Sequence, residues 1–368
     1  MSPRSRHDEA AAATMSSTAK PPTIRDVAAR AGVSTATVSR SLRRSPDVRP
    51  QTRSRVEAAA RELRYRPSGV ARSLKLRSTS TIGVIVTDIG NPYFPQVVSA
   101  IEDAARARGY SVLLADGRGD PEREVESLDL LGEREVDGLI IASSELTARH
   151  QDRIREVACP VVIINSESTV AAVPAFVSDN ESGGRLAAEH LYRLGHRHIS
   201  YLATPRAANR AARDRLAGSR ACLEELGLPG DALSIVPTEE GIAGGDQAAR
   251  AALRERPSTT ALLCYNDLTA IGAIRGLRAS QLEVPRDVSV IGYDDIEMAP
   301  YVDPALTTIR QATREMALAA VVSLFARIDG GREPTAGEVG GEPGVTRRLP
   351  VELIIRETTG PVPDAPGE

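Results

Sequence analysis

The residues of this chain best suited to chemistry stand between Thr35 and Arg43, in the stretch TATVSRSLR. Val38 and Leu42 recur at the spacing of one helical face and mark the side turned inward. Thr35, Ala36, Ser39, Arg40 and Arg43 then project outward, with Thr37 among them. Hydroxyls and guanidinium groups bond phosphate oxygens. An arginine also takes guanine O6 and N7 as a pair, and the methyls of Thr and Ala meet thymine. Small residues at the start of such a helix let it lie deep in a major groove. The chemistry predicted is the reading of double-stranded DNA. A merely solvated basic face is the alternative, and the charge distribution argues against it. Residues 21–77 hold 14 Lys and Arg against 4 Asp and Glu, whereas residues 78–368 carry a net charge of −14 within a chain of −3.

The elements that must position these groups are three short helices. The first begins at Thr23, with Asp26 three residues on as in a capping box, and repeats Ile24, Val27, Ala28 and Ala31 at helical spacing. Gly32 allows a turn, and Ser34 or Thr35 caps the second helix. The third starts near Pro50, runs through Val56, Ala59, Ala60 and Leu63, and ends by Pro67. Two short helices joined by a glycine turn within a basic segment fit the helix-turn-helix geometry, and Thr23 and Arg25 join its DNA-binding set. A short basic stretch, RPSGVARSLKLR, follows; its Gly69 costs about 1 kcal/mol against alanine in a helix. It reads as a linker that folds on DNA, with Leu74 as a minor-groove wedge and Ser68 and Ala71 as further contacts; a plain flexible linker is the alternative.

From residue 80 the pattern changes. TIGVIVTDI, SVLLAD, DGLIIAS, CPVVIIN, AFVSDN, HISYLAT, SIVPT, ALLCYND and VSVIGYDD are short runs of the kind buried in parallel sheets, with helical stretches between them. Repeated strand–helix–strand units predict open, doubly wound sheets, and about 280 residues suit two similar lobes. Residues 330–344, with six glycines, read as a flexible surface loop, and residues 1–22 as a disordered tail within which Met15 is an alternative start. No apolar run approaches the roughly 18–20 residues of a membrane span, and the N-terminus lacks the apolar core of a secretion signal, so a cytoplasmic protein without membrane partners is expected. Cys159, Cys222 and Cys264 have neither metal nor redox spacing and read as buried thiols.

These features together resemble the lactose-repressor and purine-repressor (LacI/GalR-type) family of bacterial transcription regulators. The resemblance runs from Thr23 to about Thr359, through TIRDVAARAGVSTATVSRSL, VARSL, DIGNPYFPQVVSAIE, DGLII, VSDNESGGRLAAEHLYRLGHRHISYL, DRLAG, NDLTAIGAIRGL, DVSVIGYDDI and PALTTIRQ in family order. It implies a DNA-binding head over 23–67, a hinge over 68–78, and an effector-binding and dimerising body over 79–360 made of two Rossmann-like lobes, as in periplasmic binding proteins; residues 361–368 are a tail. A homodimer would place two heads on a pseudo-palindromic operator. A small polar molecule such as a sugar would sit between the lobes, touched by Tyr93, Phe94, Ser143, Asn165, Asn209, Arg215, Glu240, Asn266, Asp294 and Gln311. Glu240 stands where many relatives carry an aromatic residue stacked on the ligand, and the chain has no tryptophan, which leaves the ligand class open to a more polar or cationic molecule. Asn209 replaces a second arginine of the purine-repressor pocket, which argues against a purine. The tail TTGPVPDAPGE lacks apolar heptads, so no coiled-coil tetramer is expected.

The implied mechanism is linkage. A ligand favouring one lobe orientation changes the spacing of the paired hinges, and operator must change ligand affinity by the same factor. A solute-binding protein shares the body but not the basic head; an activator shares both. For an enzyme the chain offers no Gly-rich phosphate loop, nucleophile elbow or metal cluster, and Ser143, Ser144 and His150 fix no triad. His196 and His198 lack a third metal ligand. Neither cofactor, metal nor catalytic residue is assigned.

Overall fold

The computed structural model describes residues 22–65, 78–167, 169–204, 209–330 and 346–362. The chain divides into two units, Met1–Arg77 and Ser78–Glu368. In the first, α1 (Ile24–Ala31), α2 (Thr35–Leu42) and α3 (Pro50–Glu62) enclose Val27, Ala28, Ala31, Val38, Val56, Ala59 and Ala60. Asp26 accepts from the backbone N–H of Thr23 at 2.7 Å, and Gly32 ends α1 at φ 62°, a left-handed conformation that glycine adopts without strain. Leu42 is half-buried, while Ser41 beside it is fully buried. The expectations for Pro67, Ser68, Ala71 and Leu74, for the glycine-rich loop and for most of both tails lie outside the described residues.

The second unit is built from two six-stranded sheets. The first third of its chain supplies β1 (Thr81–Val86), α4 (Tyr93–Ala107), β2 (Ser111–Asp116), α5 (Pro121–Glu133), β3 (Gly138–Ala142), α6 (Ala148–Glu156), β4 (Val161–Ile164) and β5 (Ala175–Ser178) to one lobe. Then α7 (Asn180–Arg193), β6 (Ile199–Ala203), α8 (Arg210–Glu225), β7 (Leu233–Pro237), α9 (Gly241–Glu255), β8 (Ala261–Cys264), α10 (Asp267–Ala279), β9 (Ser289–Asp294) and β10 (Thr307–Gln311) form the other. The chain returns to the first lobe with α11 (Thr313–Ile328) and β11 (Thr346–Leu349) and ends in the second with β12 (Val351–Ile354). Sheet order is β11-β5-β4-β3-β1-β2 in the first lobe, all parallel, and β12-β10-β9-β8-β6-β7 in the second, where only β12 runs antiparallel.

All nine strand runs read from the sequence are strands; β10, β11 and β12 were not among them. Two readings need correction. SVLLAD was expected to be buried, yet β2 lies at a sheet edge and leaves Leu113 and Leu114 39% and 40% exposed. Only the central strands are covered on both faces. Cys159 is half-buried rather than buried, unlike Cys222 and Cys264.

The chain crosses between lobes three times, and the crossings are bonded to one another. The Ser178 hydroxyl donates to Gln311 Oε1 at 2.5 Å, and the Asp179 N–H donates to the Leu349 carbonyl at 2.8 Å. At the entry to the body, Asp137 gathers the first residues: it accepts from the Ser78 hydroxyl (2.5 Å) and the backbone N–H groups of Thr79 (2.7 Å) and Ser80 (2.9 Å). Those donors hold its carboxyl below the ordinary range despite an opposing effect of burial.

Candidate DNA-reading helix and interlobe cavity

On α2 the local sequence explains the geometry. Ser34 caps the helix, accepting from the Thr37 N–H at 3.2 Å, and its hydroxyl meets that of Thr37 at 2.9 Å. Thr37 is therefore half-buried in the cap, while Thr35, Ala36 and Arg40 are exposed. The two arginines differ. Arg43 folds back on the helix, donating to the Ser39 carbonyl at 3.2 Å and the Ser39 hydroxyl at 3.0 Å. The Arg40 guanidinium makes no hydrogen bond or ion pair among the described residues. Thr23 and Arg25 are exposed at the start of α1. The structure thus brings five of the predicted residues onto one short helix with Arg43 at its C-cap, and places Thr35, Ala36 and Thr37 in its first turn, where free N–H groups favour an anion.

A second site opens where the strands end. Parallel sheets present their carboxyl ends to a crevice, and the loops there come from both lobes. From the first lobe the cavity receives Tyr93 and Phe94 at the start of α4, Asn91 before them, Ser144 beyond β3 and Asn165 beyond β4. The second lobe contributes Asn209, Arg215, Tyr265, Asn266 and Asp294, and Gln311 closes the wall at a crossing. The space is about 410 Å³, counting the part open to solvent.

The polar groups in it are held by one another. Tyr93 donates its hydroxyl to Asn165 Oδ1 at 2.8 Å. Arg215 donates Nε to Asn180 Oδ1 at 2.9 Å and Nη1 to the Tyr265 carbonyl at 2.7 Å, and its guanidinium carbon lies 3.5 Å from the centre of the Tyr293 ring. Asp294 Oδ1 is 3.5 Å from that Nη1 and accepts from Gln311 Nε2 at 2.7 Å. Asn209 and Asn266 cap α8 and α10 through Oδ1, accepting from Ala212 N–H (3.0 Å) and Thr269 N–H (2.9 Å). This leaves their NH₂ groups as donors. Beneath Asp294 lies Asp267, which is inaccessible to solvent and accepts from the Thr308 hydroxyl and the Ile296 N–H. Burial pushes the Asp294 carboxyl up to about 6, with Arg215 opposing, and holds Asp267 well above the ordinary carboxylate range. Asp294 and Asp295 both have positive φ, 116° and 53°, a strained pair for residues with side chains.

Of the predicted effector set, Tyr93, Phe94, Asn165, Asn209, Arg215, Asn266, Asp294 and Gln311 line this cavity. Two do not. Ser143 is fully buried and turns its hydroxyl to the Glu145 carbonyl at 2.8 Å, so Ser144 forms the wall instead. Glu240 is exposed at the start of α9 and is not part of the lining. Asn91, Ser144 and Tyr265 were missed; each stands within a few residues of a strand's carboxyl end, which is the signal that finds them. The other constellations are structural. His150 is buried against Glu124 and Thr147, and His196 joins Thr260, Ser289 and the Gly360 carbonyl at 2.9–3.1 Å. No group of three or more metal-ligating side chains occurs among the described residues.

Comparison with known proteins places both sites in context. A family profile described as "Bacterial regulatory proteins, lacI family" matches residues 23–68, and one described as "Periplasmic binding proteins and sugar binding domain of LacI family" matches residues 79–337. The chain is 36% identical over 309 residues to the HTH-type transcriptional repressor PurR of Aliivibrio fischeri (strain ATCC 700601 / ES114), covering 83% of this chain and 91% of the relative. The PurR repressor of Haemophilus influenzae (strain PittEE) is 35% identical over 336 residues, 91% of this chain and 98% of its own. Among solved structures, the lac repressor dimer bound to operator and the anti-inducer ONPF aligns with a TM-score of 0.81 at 32% identity, covering 93% of this chain and 100% of that one. A LacI family regulator from Enterococcus faecium with bound ribose aligns at 0.67 and 32% identity, covering 77% and 99%.

Proposed function

With the chain belonging to the LacI family of bacterial regulatory proteins, as a DNA-binding repressor controlled by a small ligand, we propose which groups read the DNA and which hold the ligand. Thr35, Ala36 and Arg40 meet base edges in the major groove. Thr23, Arg25, Thr37, Ser39 and Arg43 fix the head on the phosphates. The basic segment with Ser68, Ala71 and Leu74 enters the minor groove between two half-sites.

The observation that carries the ligand assignment is the convergence of Tyr93, Asn165, Arg215, Asn266, Asp294 and Gln311, from both lobes, on one polar cavity. One guanidinium faces one carboxylate there, and the other polar groups are amides and hydroxyls, a set suited to a small, uncharged polyhydroxylated molecule. An amide at Asn209 suits a sugar better than a purine. Bound between the lobes, such a ligand favours one lobe orientation and so shifts operator affinity.

The assembly is a homodimer acting in the cytoplasm. Leu113 and Leu114 on β2, with Met298 and Tyr301 after β9, expose apolar surface suited to its interface. No described helix is long and apolar enough to cross a membrane.

The test is to pass fragmented genomic DNA over the full-length protein at moderate salt and to sequence what is retained. Enrichment of a short pseudo-palindrome, released or tightened by one member of a monosaccharide panel, supports the assignment. Retention without sequence preference overturns it.

A further inference from the structure

We propose that Arg310 and Arg356 are positioning residues of the ligand cavity: by gripping Asp295 from two elements, they hold the left-handed Asp294–Asp295 turn that aims Asp294 at Arg215 and Gln311. The proposal rests on the reading of Asp294 as a ligand contact.

Two consecutive residues with side chains stand at positive φ where β9 ends: Asp295 at 53° occupies the left-handed well that aspartate visits at modest cost, and Asp294 at 116° lies outside it, where glycine is the usual residue. Such a turn persists only where its surroundings over-determine it. Each Asp295 carboxylate oxygen has its own arginine: Arg310 Nε donates to Oδ2 at 2.7 Å, and Arg356 Nη2 to Oδ1 at 2.6 Å. The carboxylate is almost fully enclosed, with 8% exposure. Both arginines are themselves anchored. Arg310 lies on β10 in register with Asp294, and its Nη1 reaches Glu352 Oε2 at 3.3 Å. Arg356 donates Nη1 to the Leu306 carbonyl at 2.7 Å and its backbone N–H to the Thr307 hydroxyl at 2.9 Å. On the far side the Ile296 N–H donates to Asp267. The turn is thus held at three successive residues, and the clamp supplies the constraint that lets aspartate occupy a glycine conformation. Neither arginine lines the cavity. Their effect on it passes through the backbone of residues 294 and 295.

The test is a ¹³C carboxyl titration of Asp294 in the full-length, ligand-free protein, assigned by comparison with Asp294→Asn. In the wild type the expected midpoint is about 6, raised chiefly by burial. In Arg310→Gln/Arg356→Gln the turn relaxes, the carboxylate reaches the water of the cavity, and the midpoint falls by about one pH unit or more. Adding Asp295→Gly, which adopts the left-handed backbone without a clamp, brings the midpoint at least halfway back. Arg310→Gln alone, at a half-exposed residue that the fold tolerates, gives a smaller fall of the same sign. An unchanged midpoint in the double variant and in Arg310→Gln overturns the proposal. So does a shift that Asp295→Gly leaves in place, since the arginines would then act as an ordinary ion pair. Because no ligand is present, the result stands apart from the cavity assignment, which fails separately if Asp294→Asn binds the panel sugar as tightly as the wild type.

Discussion

Replacing Gly218 with alanine puts a methyl group where two helices touch. A Cβ at Gly218 of α8 would lie 2.0 Å from the Glu181 carbonyl oxygen on α7, and one at Gly184 of α7 would lie 2.0 Å from the Arg215 carbonyl oxygen on α8. Ordinary contact begins near 3.4 Å, so the helices must part by about 1.4 Å or bend around the methyl. Overpacking of this kind costs about 1–3 kcal/mol, and the upper end applies because the atoms the methyl meets are the backbone of Glu181. The same displacement stretches the Arg215–Asn180 bond from 2.9 Å toward 4 Å, past the hydrogen-bonding limit. Two readouts follow: a lower urea midpoint, corresponding to about 3 kcal/mol, and a loss of ligand affinity of about tenfold or more. DNA binding without ligand should hold, because the head is a separate unit. Gly132→Ala serves as the control. A Cβ at Gly132 on α5 meets open space, and its replacement should stabilise by about 0.5–1 kcal/mol. A Gly218→Ala protein within about 0.5 kcal/mol of the wild type would refute the close-packing argument.

Arg40→Ala should cost about 1–3 kcal/mol on the enriched palindrome and much less on random DNA, whereas Arg43→Ala should weaken both alike and reduce the salt slope by about 1; equal effects of the two in anisotropy titrations would contradict the distinction drawn from Ser39. Because the folded-state value of Asp294 is raised to about 6, its contribution to stability is present below about pH 4 and is lost as pH rises through 6, a fall of about 3 kcal/mol. Asp294→Asn should flatten the wild-type stability profile between those limits, and parallel profiles in urea would dispose of the argument. The Asp137 carboxyl is held below its ordinary range, so its contribution runs the other way, present at neutral pH and lost as pH falls below about 4. Asp137→Asn should accelerate amide exchange at Thr79 and Ser80 while leaving β1 protected, and it should lessen the effect of ligand on DNA affinity.

What the sequence made legible follows from where each signal is local. The central strands are continuous β-branched runs, and the three-helix head carries its own caps and glycine turn, so both were readable residue by residue. β11, TRRL, has two arginines in four residues and becomes a strand only because the chain returns to pair with β5. β2 looks as apolar as β1, and its edge position is a property of sheet order. The cavity residues came from motif positions, and one miss is a single residue wide: Ser143 and Ser144 are adjacent and alike, and only the backbone beyond β3 decides which faces the cavity. The tie between Arg43 and Ser39 is equally invisible in the string, because Arg40 and Arg43 differ only in which neighbour each can reach.

The three bonded crossings between the lobes have a mechanical consequence. A single tether lets two bodies swivel about any axis. Three neighbouring strands, joined through Ser178–Gln311 and Asp179–Leu349, resist twist and shear and leave one easy bend, as a door does on a row of hinges. Gln311 both lines the cavity and bonds Ser178 at the crossing, so it links the two places. A ligand that took the Gln311 amide would compete with Ser178 and Asp294 for it, and occupancy would then be felt at the crossing itself.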